Sequence, residues 1–308
     1  MPIKYIPNNE IDFLRWDTCI AQSLLALPYA QSWYLDIVSP EWDALVYDDY
    51  EAVMPLPITK KWHIKQYFPP FFAQQLGIFS PYLLQQSLIN EFAHALQQCA
   101  NVYIHQQLNA SNDFVWQGFS QEQRTNYKLP LQKKYATLYQ KFNSNVKRNL
   151  KKAQQNDFYI HDATPSQLIK MYQDTKGKTL QHSESYYSLL EKLMYQSRHH
   201  KQGVLYGVYN KYNDIEAGGF FLYYGKQIIN LFPASSAYGR SSGAMFVLIN
   251  EIITQQAQTD QFLDFEGSMV ASVARFYQSW GAQNQAYWSI RRNNLKGWRK
   301  FIYQLKSR

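Results

Sequence analysis

Gly239-Arg240-Ser241-Ser242-Gly243-Ala244 lies between an apolar run at residues 227–232 and a long stretch of helical periodicity at residues 244–257. The order these letters predict is strand, glycine loop, helix. Backbone amides at such a helix start, left open by Gly243 and flanked by Arg240, Ser241 and Ser242, suit a phosphate group. The same letters also fit Gly-x-Ser-x-Gly, the nucleophile elbow of an α/β-hydrolase. That triad needs a histidine after its serine, and the last histidine here is His200, so serine hydrolysis is set aside.

Upstream of the loop the pattern gives a hairpin at residues 203–209 and 216–224 with a polar turn at Asn213-Asp214. Before it come a basic helix at 135–155, a strand at 158–160, a helix start at Thr164-Pro165-Ser166, and helices at 166–176 and 184–199. Downstream lie a strand at 262–265, a short helix at 273–278 and a basic helix from about Lys296. The first half shows a helix at 11–27, a hairpin at 44–47 and 51–54 whose Pro55 and Pro57 mark an edge or bulge, a helix at 82–98 and a strand at 101–105. Leu88-Ile-Asn-Glu91 on one long helix recurs as Leu248-Ile-Asn-Glu251 on the other, and Glu51-Ala52 and Glu216-Ala217 hold one place in their hairpins. Matching letters within a matching element order predict a tandem duplication of one α/β unit, with mixed sheets flanked by helices.

Charge is concentrated rather than spread. The formal net charge is +8. No acid falls between Glu122 and Asp157, a segment holding Arg124, Lys128, Lys141, Lys147, Arg148, Lys151 and Lys152, and none falls after Glu266. Such clustering favours a phosphate-bearing partner: a nucleotide cofactor, a nucleotide-linked substrate or RNA. Two cysteines, Cys19 and Cys99, give no disulfide framework and read as small buried hydrophobes. The histidines show no metal-ligand spacing, and Gly218-Gly219 lies inside a strand rather than in a dinucleotide fingerprint. With no apolar leader and no membrane span in the sequence, a cytoplasmic protein is the expectation.

Arg240-Ser-Ser-Gly243-Ala244 resembles the loop by which GNAT (general N-acetyltransferase) enzymes hold the pyrophosphate of coenzyme A, although Met245 replaces its final small residue. Phe276-Tyr277-Gln-Ser-Trp-Gly281-Ala282 resembles the GNAT segment in which a tyrosine four residues before a glycine is the general acid for the departing thiolate. Asp264-Phe-Glu-Gly-Ser268, the 276–282 segment and Lys147-Arg-Asn-Leu-Lys-Lys-Ala153 together resemble the C-terminal domain of the Fem peptidyltransferases. The resemblance covers most of residues 124–303; the first half follows it in element order alone.

What the resemblance implies is a two-domain N-acyltransferase. Residues 1–123 would be a degenerate GNAT-like domain that supports the other or binds the acceptor, since Phe79-Ser-Pro-Tyr82 stands where a glycine loop would be. Residues 124–308 would carry the donor site, with Arg240, Ser241, Ser242, Gly243 and Ala244 on the donor and Tyr277 as general acid. Glu216 stands where GNAT enzymes often carry the base; Asp264 and Glu266 rival it, alternation along a strand placing both on one face. Ser268, Lys147 and Arg148 would contact substrate. The donor is acyl-CoA or aminoacyl-tRNA, the acceptor a small-molecule amine or a cell-wall precursor, with no metal. The alternative is a non-catalytic module of the same fold that binds a nucleotide-linked ligand or RNA.

Overall fold

The computed structural model describes residues 3–61, 64–99, 102–267 and 269–298. By contact the chain forms two compact units, Met1–Arg124 with Ala286–Arg308, and Thr125–Gln285. Residues 299–308, most of the expected basic C-terminal helix, lie outside the described residues, as does Ser268.

The first unit contains β1 (Lys4–Ile6), α1 (Phe13–Gln22), α2 (Ser32–Val38), β2 (Trp42–Tyr47), β3 (Ala52–Lys61), β4 (Ile64–Tyr67), α3 (Gln86–Gln98), β5 (Tyr103–Gln107) and β6 (Ser120–Arg124). Asp12 starts α1 by accepting the Leu14 and Arg15 amides, and the helix stops at Ser23, well short of the expected residue 27, because the backbone there turns extended (ψ 142). Pro55 and Pro57 lie inside β3 rather than at its end. The Val53 N–H points away from β2 to the Phe79 carbonyl. Alternation gives Pro55 and Pro57 the same outward side, where pairing with β4 begins only at Ile58. No ladder bond is lost to either ring.

The second unit contains β7 (Tyr127–Pro130), α4 (Tyr135–Lys141), α5 (Ser144–Ala153), β8 (Tyr159–Asp162), α6 (Pro165–Tyr172), a π-helical turn (Gln173–Gly177), α7 (Lys178–Leu180) and α8 (Glu184–His199). It continues with β9 (Gly203–Tyr209), β10 (Ile215–Tyr224), β11 (Gln227–Ser235), α9 (Ala237–Ser242), α10 (Ala244–Gln256), β12 (Phe262–Asp264), α11 (Ala271–Ser279) and β13 (Gln283–Asn284). The single basic helix expected at 135–155 is two. Phe142 is buried with an extended ψ of 135, and the Asn143 side chain accepts the Val146 amide 3.0 Å away, starting α5 afresh. Thr164 and Gln167 form a reciprocal capping box on α6.

The two sheets share one plan. The first runs β1-β2-β3-β4-β5-β14-β6, where β14 is Tyr287–Asn293; the second, taken in the same sense, runs β8-β9-β10-β11-β12-β7-β13. Every neighbouring pair is antiparallel except β4 with β5 and β11 with β12, which are parallel. The helices carrying the repeated tetrapeptide, α3 and α10, each have 13 residues and connect those parallel strands. Ile89 and Ile249, the same letter of the repeat, are both fully buried in their own unit's core. The duplication seen in the letters is a duplication of architecture.

The resemblance assigns residues 124–308 to one domain. From Ala286 onward the chain belongs to the first unit, because β14 pairs with β5 (Ser289 with Gln107 through Asn293 with Tyr103) and with β6. Among the described residues no helix is long and apolar enough to cross a membrane. Cys19 is buried and Cys99 partly so; burial pushes the Cys19 thiol up to about 12.

Candidate active site in the second unit

Residues 239–244 do not form an open loop. Residues 237–242 are helical, and Gly243 is the left-handed junction (φ +87) between α9 and α10. The Arg240 amide is spent on the Ser236 carbonyl and the Gly243 amide on the Gly239 carbonyl, both at 3.1 Å. The Arg240 and Gly243 amides are therefore taken up inside the α9 turn, and α10 begins at Ala244 with Gly243 as its N-cap. Ser241 and Ser242 return their hydroxyls to the Tyr238 carbonyl at 2.9 and 2.7 Å, and Ala244 is buried at the start of α10.

Its glycines answer to packing. A Cβ on Gly239 would lie 1.8 Å from the Glu216 carbonyl oxygen, and one on Gly243 would lie 3.0 Å from the Asn149 carbonyl. Only hydrogen lets α9 sit on β10 and α5 on the α9–α10 junction. The segment at 147–153 is the other half of that second contact. Ala153 faces Gly243, while the Lys152 ammonium donates at 2.6 Å to the Ser241 carbonyl near the C-terminus of α9.

Glu216 and Asp264, two of the candidate bases, are held by identifiable protein groups. Glu216, 7% exposed, accepts from Asn210 at 2.9 Å and from the Ser236 hydroxyl, which in turn accepts the Gly239 amide to cap α9. Asp264, 2% exposed, lies 3.1 Å from the Lys128 ammonium, accepts from Asn126 at 3.2 Å and takes the Glu266 amide at 2.8 Å. That last bond bends the chain, and Glu266 has φ +57. β12 has ended at Asp264, so the shared face expected from alternation is replaced by a turn. The Glu266 charge acts instead on Tyr277 and Tyr186.

Beyond Ile229, the last residue of β11 paired with β12, β11 runs on to Ser235 without that neighbour. A cavity of about 310 Å³ lies along this unpaired stretch, walled by Asn230 and residues 233–235 of β11, by Gly239 and Arg240, by Met245 and Phe246 of α10, and by Phe276 and Tyr277 of α11. Tyr172, Thr175 and Lys176 close it from α6 and the π-helical turn. Arg240 and Tyr277, distant in sequence, meet here. Glu216, Asp264, Glu266, Lys147 and Arg148 do not line it.

Tyr277 stacks on Phe265 with ring centres 5.0 Å apart. Burial first, then the negative charges of Glu266 and Asp264, raise its phenol well above the usual tyrosine range, so it stays protonated at any physiological pH. The Arg240 guanidinium donates to the Ser235 carbonyl at 3.0 Å at the same wall. Asn230 is a site residue that pattern reading passed over. It is 3% exposed, and its side-chain oxygen is buried without a hydrogen-bond partner. Beside it β11 bulges: Phe220 faces Phe232 and Phe221 faces Asn230, leaving Leu231 unmatched. A lone amide within the apolar run Gln227-Ile-Ile-Asn-Leu-Phe232 was the available signal.

The basic segment makes a second, separate groove of about 490 Å³ lined by Tyr135, Tyr139, Lys147, Lys151 and Asn250, among others. The Lys147 ammonium lies 5.3 Å from the Tyr139 ring centre. Arg148 turns aside to Asn145 at 2.9 Å. Among the described residues no group of three or more His, Cys, Asp or Glu could hold a metal ion.

No protein-family model and no curated protein matches the sequence. Solved structures do match in fold. FemX aligns with a TM-score of 0.67 at 10% identity, over 98% of this chain and 99% of its own. A conserved protein of unknown function from Bacteroides thetaiotaomicron aligns at 0.58 and 10% identity, over 94% and 99%. A tandem GNAT protein from the clavulanic acid biosynthesis pathway, solved without AcCoA, aligns at 0.55 and 10% identity, over 94% and 97%. The chain has the tandem GNAT-like fold, in an arrangement resembling FemX.

Proposed function

We propose that the second unit transfers an acyl or aminoacyl group to an amine acceptor. The observation that carries this reading is the convergence of Arg240 and Tyr277 on one cavity at the unpaired end of β11. Acyl transfer to nitrogen needs a proton for the leaving atom and a place for the donor's acyl group. Tyr277, kept protonated at the cavity wall, supplies the proton to the departing thiolate or ribose oxygen. The apolar wall of Met245, Phe246 and Phe276 excludes water from the acyl carbon. Arg240 sits where a phosphate of the donor, acyl-CoA or aminoacyl-tRNA, would approach; the serines and glycines beside it hold α9 in place. Ser268, Lys147 and Arg148 are candidate substrate contacts, Lys147 in its own separate groove. The first unit supports the second or binds the acceptor, a small amine or a cell-wall precursor.

The test is a panel of acyl-CoA and aminoacyl-tRNA donors with amine acceptors. Turnover is expected, and Tyr277→Phe should lower it about 100-fold while donor affinity is kept. Failure of both donor classes to bind or react would end the proposal. Two observations favour the alternative, a module of the same fold that binds a nucleotide-linked ligand or RNA without turnover: the closed turn at α9 and the aromatic, basic groove of Lys147, Lys151 and Tyr139. Donor binding without turnover would select it.

A further inference from the structure

Amine acylation also requires a base, and neither Glu216 nor Asp264 is placed to act as one. Both are consumed by protein partners, and neither lines the cavity. The cavity wall, as described, contains no carboxylate and no imidazole. It does contain the hydroxyl-bearing Tyr172, and that hydroxyl lies 3.5 Å from His182 Nε2.

The surroundings of this pair are built. The His182 ring stacks on Tyr186 with centres 4.0 Å apart and planes 11° apart, lies nearly parallel to Tyr172 at 6.2 Å, and meets Tyr187 edge-on at 6.3 Å. The chain reaches His182 through a left-handed residue, Gln181 (φ 48), directly after α7. Between Tyr172 and α7 the helix widens into the π-helical turn, an irregularity that recurs at functional sites. Gly177 within that turn is closely packed: a Cβ there would lie 2.8 Å from the Tyr187 hydroxyl and 3.1 Å from the Tyr172 carbonyl oxygen. The widened turn and the rings of Tyr172, Tyr186 and Tyr187 surround one imidazole beside a tyrosine that lines the cavity.

We infer that Tyr172 and His182 form a proton relay serving the cavity, with Tyr172 touching the acceptor amine and His182 acting through it. This rests on the acyl-transfer reading. As the amine nitrogen forms its bond to the acyl carbon, its proton passes to the Tyr172 oxygen while the Tyr172 proton passes to His182 Nε2. The bond from acyl carbon to sulfur or oxygen breaks, and Tyr277 gives its proton to the leaving atom. Imidazolium and phenolate are left, and solvent resets both. The relay requires the Nδ1–H tautomer, in which Nε2 accepts from the Tyr172 hydroxyl. Among the described residues, titratable groups facing His182 include Tyr172 from α6 and Tyr186 and Tyr187 from α8; Tyr186 also hydrogen-bonds Tyr172, and the Glu266 charge acts on Tyr186.

Three measurements on the whole chain test this. Tyr172→Phe, which keeps the ring packing, should lower kcat/KM about 100-fold. His182→Ala should do the same, lose the acid limb of the pH profile, and recover turnover with added imidazole. Independently of turnover, long-range nitrogen-15 spectra of the histidine rings should show His182 as the Nδ1–H tautomer, with its Nε2 signal moved by Tyr172→Phe. Tyr172→Phe within twofold of wild type, or an unchanged acid limb in His182→Ala, overturns the relay while leaving acyl transfer intact. An Nε2–H tautomer overturns it even if no donor proves active. Absence of wild-type turnover with every donor, by contrast, counts against the acyl-transfer reading itself.

Discussion

Replacing Lys128 by methionine tests whether Asp264 is a structural group or a reactive one. The Lys128 ammonium is 3.1 Å from the Asp264 carboxylate, and the two side chains are 7% and 2% exposed. At an effective dielectric of 20 the attraction is about 5 kcal/mol, and the desolvation of two buried ions offsets much of it. Removing one partner is different, because it strands the other charge and costs about 3–5 kcal/mol. Asp264 would retain Asn126 and the Glu266 amide, which places Lys128→Met toward the lower end, about 3 kcal/mol. That is a large part of an ordinary domain's stability. Hydrogen exchange followed by mass spectrometry in rising urea, on peptides covering β7 and β12, reads the loss in the strands that hold the pair. Adding Asp264→Leu to Lys128→Met should restore most of it. A loss below about 1 kcal/mol for the single variant, or a double variant no more stable than the single, would refute the argument.

In the first unit, His105 is 8% exposed, with Nε2 2.9 Å from the Ser289 hydroxyl. Burial, then Arg291 and Arg124, lower its pKa to about 4. Unfolding restores it to about 6.5, so the unfolded chain takes up the proton first, and stability falls as pH drops from about 6.5 to 4, by about 2 kcal/mol after allowing for screening of the arginines. Urea midpoints across that range should lose this slope in His105→Gln; an unchanged slope would dismiss the account. Gly239→Ala should destabilise the second unit by about 3 kcal/mol through overpacking against the Glu216 carbonyl. Wild-type thermal stability in that variant would show the backbone contact to be slack.

The repeated unit was legible because its signals are local. Hairpins and helical periodicity each belong to one short segment, and the two copies of Leu-Ile-Asn-Glu fall on the matching helices α3 and α10, although several helix bounds differ. Asn143 was a legible helix start that the run of basic letters concealed. The course of β14 was not legible, because Tyr287-Trp-Ser-Ile-Arg-Arg-Asn293 has no clean alternation and a strand's own pattern says nothing about which sheet receives it. The glycine stretch was ambiguous for a related reason. Glycine is demanded equally by an amide cradle and by a backbone carbonyl 1.8 Å from where a Cβ would stand. Tyr172 and His182 come together only through the π-helical turn and the left-handed Gln181, which no periodicity announces.

The return of β14 to the first unit also fixes a schedule. During synthesis residues 1–124 emerge first, yet the strand that lies between β5 and β6 is finished only when residue 293 has been made. Until then β5 presents an open edge and β6 has no neighbour to pair with, while the second unit already has every one of its strands. The half that is translated first is thus the half that closes last, and its incomplete sheet is the nascent chain's exposure to mispairing and to chaperones.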